Sequence, residues 1–246
     1  MEPIFRTQYT IEDIHLDCYG RMKSSVILYF AQEVAGKHCV ELSLDWKTLA
    51  QKRLFWAVIR HRVHITRLPV AGETITVETW PMPTTRVAYP RSMVAYDEAG
   101  CELFRSVSLW VLMDTDTRAM ILPGKSGIAV AGTTRGTELA APGSLVPKQL
   151  GNTVTRQVTY TELDRNGHMN NTRYLDWIDD LLPSVFHAGH TPREITVCYL
   201  SEAREGQQME LSWELSDGPE LRVEARRRDV LGSGNRERVF AAQVRF

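Results

Sequence analysis

The chain has 246 residues, of which 43% are hydrophobic and 24% charged, and its formal net charge at pH 7 is -1. This composition suffices for one large globular domain or two small ones, and the near-zero charge argues against nucleic-acid binding through bulk electrostatics. The sequence has neither a basic N-terminal stretch followed by an apolar one nor a run of about 18 apolar residues. We therefore expect a cytoplasmic protein that does not span a membrane.

In the first half, residues Ser24 to Val34 follow the helical period, and one apolar stripe is expected to be buried. The stripe consists of Ile27, Phe30, Ala31 and Val34. Ser24 or Ser25 is the candidate N-cap of this helix. Four strand-like runs rich in Val, Ile, Thr and aromatic residues follow, with Pro and Gly between them. They are Phe55 to Thr66, Thr74 to Trp80, Arg86 to Tyr96 and Glu102 to Met113.

The segment Pro123 to Asn152 contains six glycines and fits neither period. It is interpreted as a surface linker between an N-terminal unit, residues 1–122, and a C-terminal unit, residues 153–246. The second unit repeats a helix and four strands. Its helix is predicted over Thr172 to Leu182, and Pro183 is expected to interrupt or end the stripe Leu175, Ile178, Leu182 and Val185. Its strands are predicted near Glu194 to Leu200, Gln208 to Leu215, Leu221 to Arg227 and Arg236 to Arg245.

A short motif recurs ahead of both predicted helices. Asp17-Cys-Tyr19-Gly20-Arg21-Met22 precedes the first and Asp164-Arg-Asn166-Gly167-His168-Met169 the second, with Asp, Gly and Met in register at an offset of 147 (164 minus 17). A repeat of this kind predicts two copies of one structural unit. Because Tyr19 and Arg21 stand where the second copy has Asn166 and His168, we expect this polar chemistry from the second copy alone.

The second copy of the motif is the candidate site. If it is extended, Asp164, Asn166 and His168 lie on one face, since side chains alternate along a strand with a period of two. The same composition also suits a tight turn, in which Asp or Asn bonds the backbone and Gly167 has a positive φ. Asn170 or Asn171 is expected to be the N-cap of the following helix.

The four cysteines are scattered without Cys-x-x-Cys spacing, at Cys18, Cys39, Cys101 and Cys198. A chain of this length needs no disulfide bonds, so we expect free thiols in the core. His168 and Cys198 lack the spacing of a metal site, and the sequence predicts neither a metal ion nor another cofactor.

A long apolar helix against a long antiparallel sheet, twice in tandem, predicts an α+β architecture of the hotdog type, and two such units usually join their sheets. Three stretches carry a further resemblance: Asp164-x-Asn166-x-His168-x-Asn170-Asn171, Trp56 to Trp80, and Ser108 to Met113 with Thr117-Arg118. Over most of residues 5 to 245 the chain resembles the acyl-ACP thioesterases of plant plastids and bacteria, and the first stretch is specific.

This resemblance implies a double hotdog enzyme of fatty acid biosynthesis, which hydrolyses the thioester between a fatty acyl chain and the phosphopantetheine arm of acyl carrier protein. It implies catalytic roles for Asp164, Asn166 and His168. It implies one more for Glu202, in the segment Tyr199 to Ala203, which plant members write as Tyr-Arg-Arg-Glu-Cys. Since Ala203 replaces that Cys, a carboxylate and water are expected there instead of a thiol nucleophile.

Thioester hydrolysis requires an oriented water, an oxyanion donor and a way to release the thiol. Asn166 can donate to the carbonyl oxygen, assisted by backbone amides of residues 170–173, and His168 can exchange a proton. Asp164 can hold the tautomer of His168, and Glu202 can orient or deprotonate the water. Which carboxylate does which, and whether either forms an acyl-enzyme, stays open.

Further residues are candidates for substrate binding. Arg60, Arg62 and His64 alternate with the more apolar Ile59, Val63 and Ile65, so we expect them to face away from the core. They form either an ordinary solvated face or a basic patch that binds an acidic carrier protein, with Arg226 to Arg228 as a second candidate. Asn170 and Asn171 follow the motif directly. Trp56 belongs either to the core or to an acyl tunnel.

Three alternative functions stay open. Acyl-CoA hydrolysis is the nearest one, and a hotdog hydratase or dehydratase would also use a His and a carboxylate on an acyl thioester. A non-catalytic acyl-binding protein would be expected to lose the polar motif, as the first half has. The preferred chain length and the oligomeric state, including a homodimer, are not determined by the sequence.

Overall fold

The computed structural model describes residues 3–136, 138–228 and 237–246, and the chain divides into two compact units, Met1–Pro142 and Gly143–Phe246. Each unit contains a helical segment and an antiparallel sheet, which confirms the predicted α+β repeat. The boundary falls inside the segment predicted as the linker. The described residues of that segment contain one short helix and are otherwise irregular, except that its last residue, Asn152, begins a strand.

The first unit holds one long helix and a sheet. Its elements are β1 (Phe5–Thr10), α1 (Ser24–Glu41), α2 (Trp46–Ala50), β2 (Leu54–Ile65), β3 (Thr74–Pro81), β4 (Tyr89–Tyr96), β5 (Glu102–Asp114), β6 (Met120–Ile121) and α3 (Pro123–Ser126). The strand order is β1-β3-β4-β5-β2, with β6 beside β5. The four predicted strands correspond to β2 to β5. The sequence analysis missed β1, whose alternation covers only six residues.

Helix α1 buries the predicted stripe of Ile27, Phe30, Ala31 and Val34. It extends to Glu41, seven residues past the predicted end at Val34. The expected serine N-cap is wrong, because Lys23 is the cap residue and Ser24 is already the first residue of the helix. Ser24 and Ser25 both lie inside the first turn of the helix, and both are buried.

Both helices described in the second unit are shorter than α1. Its elements are β7 (Asn152–Gln157), α4 (Arg173–Asp179), α5 (Ser184–Gly189), β8 (Glu194–Tyr199), β9 (Gln208–Leu215), β10 (Glu220–Arg227) and β11 (Arg238–Arg245), in the sheet order β8-β11-β10-β9-β7. Arg236, the predicted start of the last strand, lies outside the described residues. The predicted helix end at Leu182 is wrong, because α4 ends at Asp179. The interruption at Pro183 is confirmed, since it separates α4 from α5. Val185 is 74% exposed, so it does not continue the buried stripe as predicted.

A bulge in β2 changes the predicted facing of its side chains. The pairing with β5 skips Ile59, so His61 takes the buried side together with Val63 and Ile65. Arg60 and Arg62 lie on the other side, as expected, and both are half-buried. The expected role of Ile59 as an inward residue of this alternation is therefore wrong, and the buried His61 was not foreseen.

The cysteines only partly match the expectation. All four are free thiols, but Cys18 and Cys101 are exposed rather than in the core. In the part of the chain that the structure describes, no three or more His, Cys, Asp or Glu side chains are arranged to hold a metal ion. No helix among those residues combines the length and apolarity needed to cross a membrane.

Candidate active site

The second copy of the repeated motif forms a tight turn rather than extended chain. The N–H of Asp164 donates to the carbonyl of His168 (2.7 Å), and the N–H of Gly167 donates to the carbonyl of Asp164 (3.0 Å). Gly167 has φ +74°, a left-handed conformation that favours glycine. The expectation that Asp164, Asn166 and His168 lie on one face of a strand is therefore wrong, and the alternative of a turn is the observed one.

The Asp164 carboxylate holds this turn closed. Its Oδ1 accepts the backbone N–H of Asn166 (2.8 Å) and of His168 (3.2 Å). Asp side chains commonly bond the backbone two residues later in this way, because the carboxylate replaces a backbone acceptor. The structure thus gives Asp164 the task of shaping the backbone that carries the other two polar side chains.

The imidazole of His168 meets a carboxylate from another segment. His168 is buried, and its Nε2 lies 2.9 Å from Oε2 of Glu202, whose side chain is 35% exposed. The carboxylate at this ring nitrogen is therefore Glu202, whereas the sequence analysis had considered Asp164 for that task. A carboxylate that accepts from one ring nitrogen fixes the tautomer of a histidine and stabilises its protonated form.

A bulge in β11 brings Glu202 to this place. The β10–β11 register skips Val239, and the carbonyl of Val239 accepts the N–H groups of both Leu200 (2.8 Å) and Ser201 (3.1 Å). Strand β8 ends at Tyr199, and the chain turns away from the sheet. One residue beyond Glu202, the carbonyl of Ala203 accepts the N–H of Met169 (2.8 Å). This bond ties the Glu202 segment directly to the turn that carries His168.

An arginine lies beside Glu202, and the second unit also contains two buried tyrosines. The guanidinium of Arg204 lies 3.7 Å from the Glu202 carboxylate. Burial raises the pKa of Tyr174, in α4, although the Arg227 cation opposes that rise, and burial also raises the pKa of Tyr199. Both phenols are therefore neutral near pH 7, and the Tyr199 hydroxyl donates to the carbonyl of Asn171 (3.0 Å).

The amide residues of the motif occupy different settings. Asn166 is exposed in the turn, as a donor to a bound substrate would have to be. The N-cap of α4 is Thr172 rather than Asn170 or Asn171. Asn170 instead accepts the N–H and hydroxyl of Thr172 through its Oδ1, at 3.0 and 2.9 Å.

The backbone amides of residues 170–173, expected to assist at an oxyanion, are largely occupied. The N–H of Asn170 donates to Glu162, that of Thr172 to the Asn170 side chain, and that of Arg173 to the Asn170 carbonyl. Three of the four amides are thus used inside the unit, which weakens the expectation of an oxyanion site at this helix start.

Two of the three arginines proposed as a second basic patch, Arg226 and Arg227, have side chains engaged within the unit. Arg226 pairs with the buried Glu224 (2.7 Å). Arg227 binds the Ser201–Glu202 segment and pairs with Glu237. The sequence analysis missed the role of Arg227, because a run of three arginines gives no sign of which one faces the site.

Trp56 and Arg60, two of the candidates for substrate binding, contact other residues of the first unit. Trp56 donates its Nε1–H to the carbonyl of Leu44 (3.0 Å) and meets the Tyr89 ring edge-on at 5.0 Å. It packs against a hydrophobic cluster of Leu49, Leu54, Tyr89, Leu112 and Ile128. Arg60 approaches the carbonyl of Pro142 (3.4 Å). Their roles in substrate binding stay predictions.

The fold and the site together define a tandem hotdog protein whose second unit carries a histidine–carboxylate pair. Two family models match: the acyl-ACP thioesterase N-terminal domain over residues 2–122 and the acyl-ACP thioesterase C-terminal domain over residues 148–241. The chain belongs to the acyl-ACP thioesterase family.

Relatives and solved structures agree with this assignment. A palmitoyl-acyl carrier protein thioesterase of Gossypium hirsutum is 24% identical over 81% of this chain and 52% of its own length. An oleoyl-acyl carrier protein thioesterase of Arabidopsis thaliana is 24% identical over 82% of this chain and 61% of its own. The chain thus spans about half the length of the curated relatives it matches.

Two solved structures share the fold. An acyl-ACP thioesterase from Bacteroides thetaiotaomicron has a TM-score of 0.84 at 24% identity, covering 99% of this chain and 98% of the other. A 12:0-ACP thioesterase from Umbellularia californica has a TM-score of 0.81 at 20% identity, covering 100% and 97%. These likenesses establish the tandem hotdog architecture for the present chain.

Proposed function

We propose that this protein hydrolyses the thioester of fatty acyl-acyl carrier protein, releasing a free fatty acid during fatty acid biosynthesis. The observation that carries the proposal is the 2.9 Å contact between His168 Nε2 and Glu202 Oε2, next to a turn that exposes Asn166. A paired histidine can accept and return a proton near neutral pH, which is what thioester hydrolysis by water requires.

The reaction uses the pair as its acid and base. The His168–Glu202 pair takes a proton from water as the water oxygen bonds to the thioester carbon. The oxyanion that forms accepts a hydrogen bond from the Asn166 amide. When the carbon–sulfur bond breaks, the pair returns the proton to the departing thiolate, so that a carboxylic acid and a carrier thiol leave. Asp164 contributes by holding the turn in place.

Ala203 bears on the choice of nucleophile. The residue after Glu202 has no thiol, and its side chain is buried, 1% exposed. Water is therefore the proposed nucleophile at this place, and the reaction should not be inhibited by thiol reagents acting there.

The test gives the purified protein two substrates side by side, an acyl-acyl carrier protein and the acyl-CoA with the same acyl chain. The fatty acid and the thiol released from each are measured. We expect a higher kcat/KM with the carrier protein. Faster acyl-CoA hydrolysis would move the assignment to acyl-CoA. Conversion of a 3-hydroxyacyl or 2-enoyl thioester without release of thiol would indicate a hydratase or dehydratase.

A further inference from the structure

The segment that carries Glu202 is fixed by an arginine at the end of β10. Nη2 of Arg227 donates to the carbonyl oxygen of Glu202 (2.6 Å) and to Oγ of Ser201 (3.3 Å). Nη1 of the same guanidinium donates to Oε2 of Glu237 (2.5 Å), and the Arg227 N–H donates to the Glu237 carbonyl (2.8 Å). Arg227 therefore contacts the backbone of Glu202 while its own position is fixed by Glu237.

Two bonds hold Glu202 from opposite ends. Arg227 binds the carbonyl of Glu202, and the next carbonyl, that of Ala203, accepts the N–H of Met169 from the turn. The carboxylate between these bonds reaches Nε2 of His168. Glu202 lies in the irregular segment between β8 and β9, so it is not held by strand pairing. Its side chain is 35% exposed, so close packing does not fix it either. Its direction depends on such local bonds.

The first unit supplies a comparison at the same place. There Leu103 is the bulged residue, and its carbonyl accepts the N–H groups of Thr66 (2.9 Å) and Arg67 (3.0 Å), as Val239 does in the second unit. Arg67 stands where the second unit has Ser201. Its guanidinium lies 3.6 Å from the carboxylate of Asp97, which stands where the second unit has Arg227.

The two units thus connect equivalent segments, but the arginine lies on opposite sides of the contact. In the first unit it is Arg67, at the position of Ser201, and in the second it is Arg227, at the position of Asp97. In the first unit the contact is an ion pair beside a leucine, Leu68, at the position of Glu202. In the second unit the arginine is on the other segment, where it donates to the backbone of a residue that carries a carboxylate. An aspartate at the place of Arg227 would lack a donor for that carbonyl and would repel the carboxylate.

We propose that Arg227 is a positioning residue, which holds Glu202 in contact with His168 and thereby tunes the acid–base pair. This inference rests on the proposed function for its kinetic part and on the geometry alone for its spectroscopic part. Arg227 itself does not touch substrate in this proposal. Its effect passes entirely through Glu202.

The kinetic test compares hydrolysis of acyl-acyl carrier protein by the full chain carrying Arg227→Met, Glu202→Gln or both. We expect Arg227→Met to lower kcat about 10- to 100-fold at near-constant KM, because a small displacement of an acid–base group is costly. In the Glu202→Gln background the same change should have no further effect. An undiminished additional loss in that background would overturn the inference.

Matched variants separate positioning from general stability. Arg67→Met removes the guanidinium from the equivalent contact of the first unit and should leave kcat unchanged. Thermal unfolding of each variant records any loss of stability. Arg227→Lys keeps one donor and should recover part of the lost rate, and it replaces Arg227→Met if that variant does not fold. Equal rate losses in Arg67→Met and Arg227→Met would mean a merely structural role.

The spectroscopic test needs no substrate. The titration of the His168 ring is followed by NMR, while Asp164 and Arg204 remain unchanged in every variant. Glu202→Gln should lower the titration midpoint, because a neighbouring carboxylate favours the imidazolium. Arg227→Met should lower it relative to the shift that the same change causes in the Glu202→Gln background, where only the direct effect of removing the cation remains. If it does while the wild type hydrolyses no acyl thioester, the proposed function fails and the positioning role stands. Equal shifts of the midpoint on Arg227→Met in the wild-type and Glu202→Gln backgrounds would overturn the positioning role.

Discussion

The turn of residues 17–22 in the first unit and the turn of residues 164–169 in the second share one backbone. In each, the aspartate Oδ1 accepts the N–H groups two and four residues later, at 2.8 and 3.0 Å in the first turn and 2.8 and 3.2 Å in the second. In each, the glycine three residues after the aspartate has a positive φ, +73° and +74°. The repeated Asp and Gly therefore shape the turn, and the N–H of the repeated Met donates to a carbonyl of another segment in both units.

The side chains between them meet different partners. Arg21 pairs with Asp17 of its own turn (3.1 Å), whereas His168 reaches Glu202 on another segment. The backbone position of Glu202 is taken by Leu68 in the first unit, since the following carbonyl, that of Pro69, accepts the N–H of Met22 (3.0 Å) as Ala203 accepts that of Met169. Leu68 is 8% exposed.

This difference shows how little separates a scaffold from a site. Both units have the turn, the bulge and the bond between turn and segment, and the second unit adds a contact between a histidine and a glutamate. An acid–base pair needs a place where the fold already brings two segments together. The repeat provides that place twice: the first unit has an arginine and a leucine there, and the second has a histidine and a glutamate.

The largest expected effect comes from breaking the pair. His168→Ala and Glu202→Gln should each lower kcat by about two or more orders of magnitude, the usual scale for an acid–base group, while carrier-protein binding survives. Steady-state kinetics with acyl-acyl carrier protein measure this. Arg21→Ala, the matched change in the first turn, should leave kcat near wild type. Near-normal turnover in Glu202→Gln would transfer the base to Asp164 or His168.

Asn166 tests the exposed part of the turn. Asn166→Ala should lower kcat about 100-fold with an unchanged melting temperature, since the removed amide donates to the oxyanion and its backbone bonds remain. Tyr19→Ala, at the equivalent place in the first turn, should not change kcat. A similar rate for Asn166→Ala and wild type would remove the amide from the mechanism.

Leu68→Glu places a carboxylate in the first unit at the position that Glu202 occupies in the second. Because Leu68 is buried, we expect a stability loss of about 2–5 kcal/mol from the lost apolar contacts and the buried carboxyl group. Chemical denaturation measures the loss. Leu68→Met, a change of similar volume, is the control and should cost less than about 1.5 kcal/mol. A fully stable Leu68→Glu protein would mean that the first unit also tolerates a carboxylate there.

The buried His61 gives an expectation for acid. Among the residues that the structure describes, none forms a hydrogen bond with the buried Nε2 of His61, and burial lowers the pKa of His61 from 6.5 to about 3. Between these values the unfolded chain binds the proton and the folded chain does not, so stability falls with falling pH. The loss from pH 7 to pH 5 should be about 2 kcal/mol.

The measurement is the free energy of unfolding of wild type and His61→Leu across that range of pH. The variant should lose less stability on acidification, by the amount assigned to His61. If both proteins respond to pH equally, His61 has an ordinary pKa in the folded state.

The smallest effect concerns docking by the first unit. Arg62→Glu should raise KM for acyl-acyl carrier protein a few-fold, with less effect on acyl-CoA, if the half-buried arginines of β2 attract an acidic carrier. Arg86→Glu, an exposed change of the same charge, is the control. Equal changes in KM for both substrates, or in both variants, would argue against a docking patch.

The irregular parts of both units were the least predictable. The buried stripe of α1 follows from periodicity, and the break at Pro183 follows from the ring that cannot continue a helix. The boundaries of α1 and α4 do not follow from the local sequence. Tertiary contacts determine which residue is the last one outside the helix and therefore its cap. Nothing in the alternation of β2 indicates its bulge, which moved His61 to the buried side.

The sequence by itself determined the duplicated unit, the turn residues and the family, because Asp, Gly and the spacing of the polar motif act locally. Only the tertiary structure decided which carboxylate meets His168. Asp164 is four residues away along the chain, yet its Oδ1 holds the turn. Glu202 is distant in sequence, and a bulge, an arginine and one backbone bond bring it to the ring. Contacts between distant segments depend on the packing of the whole unit, which no local pattern records.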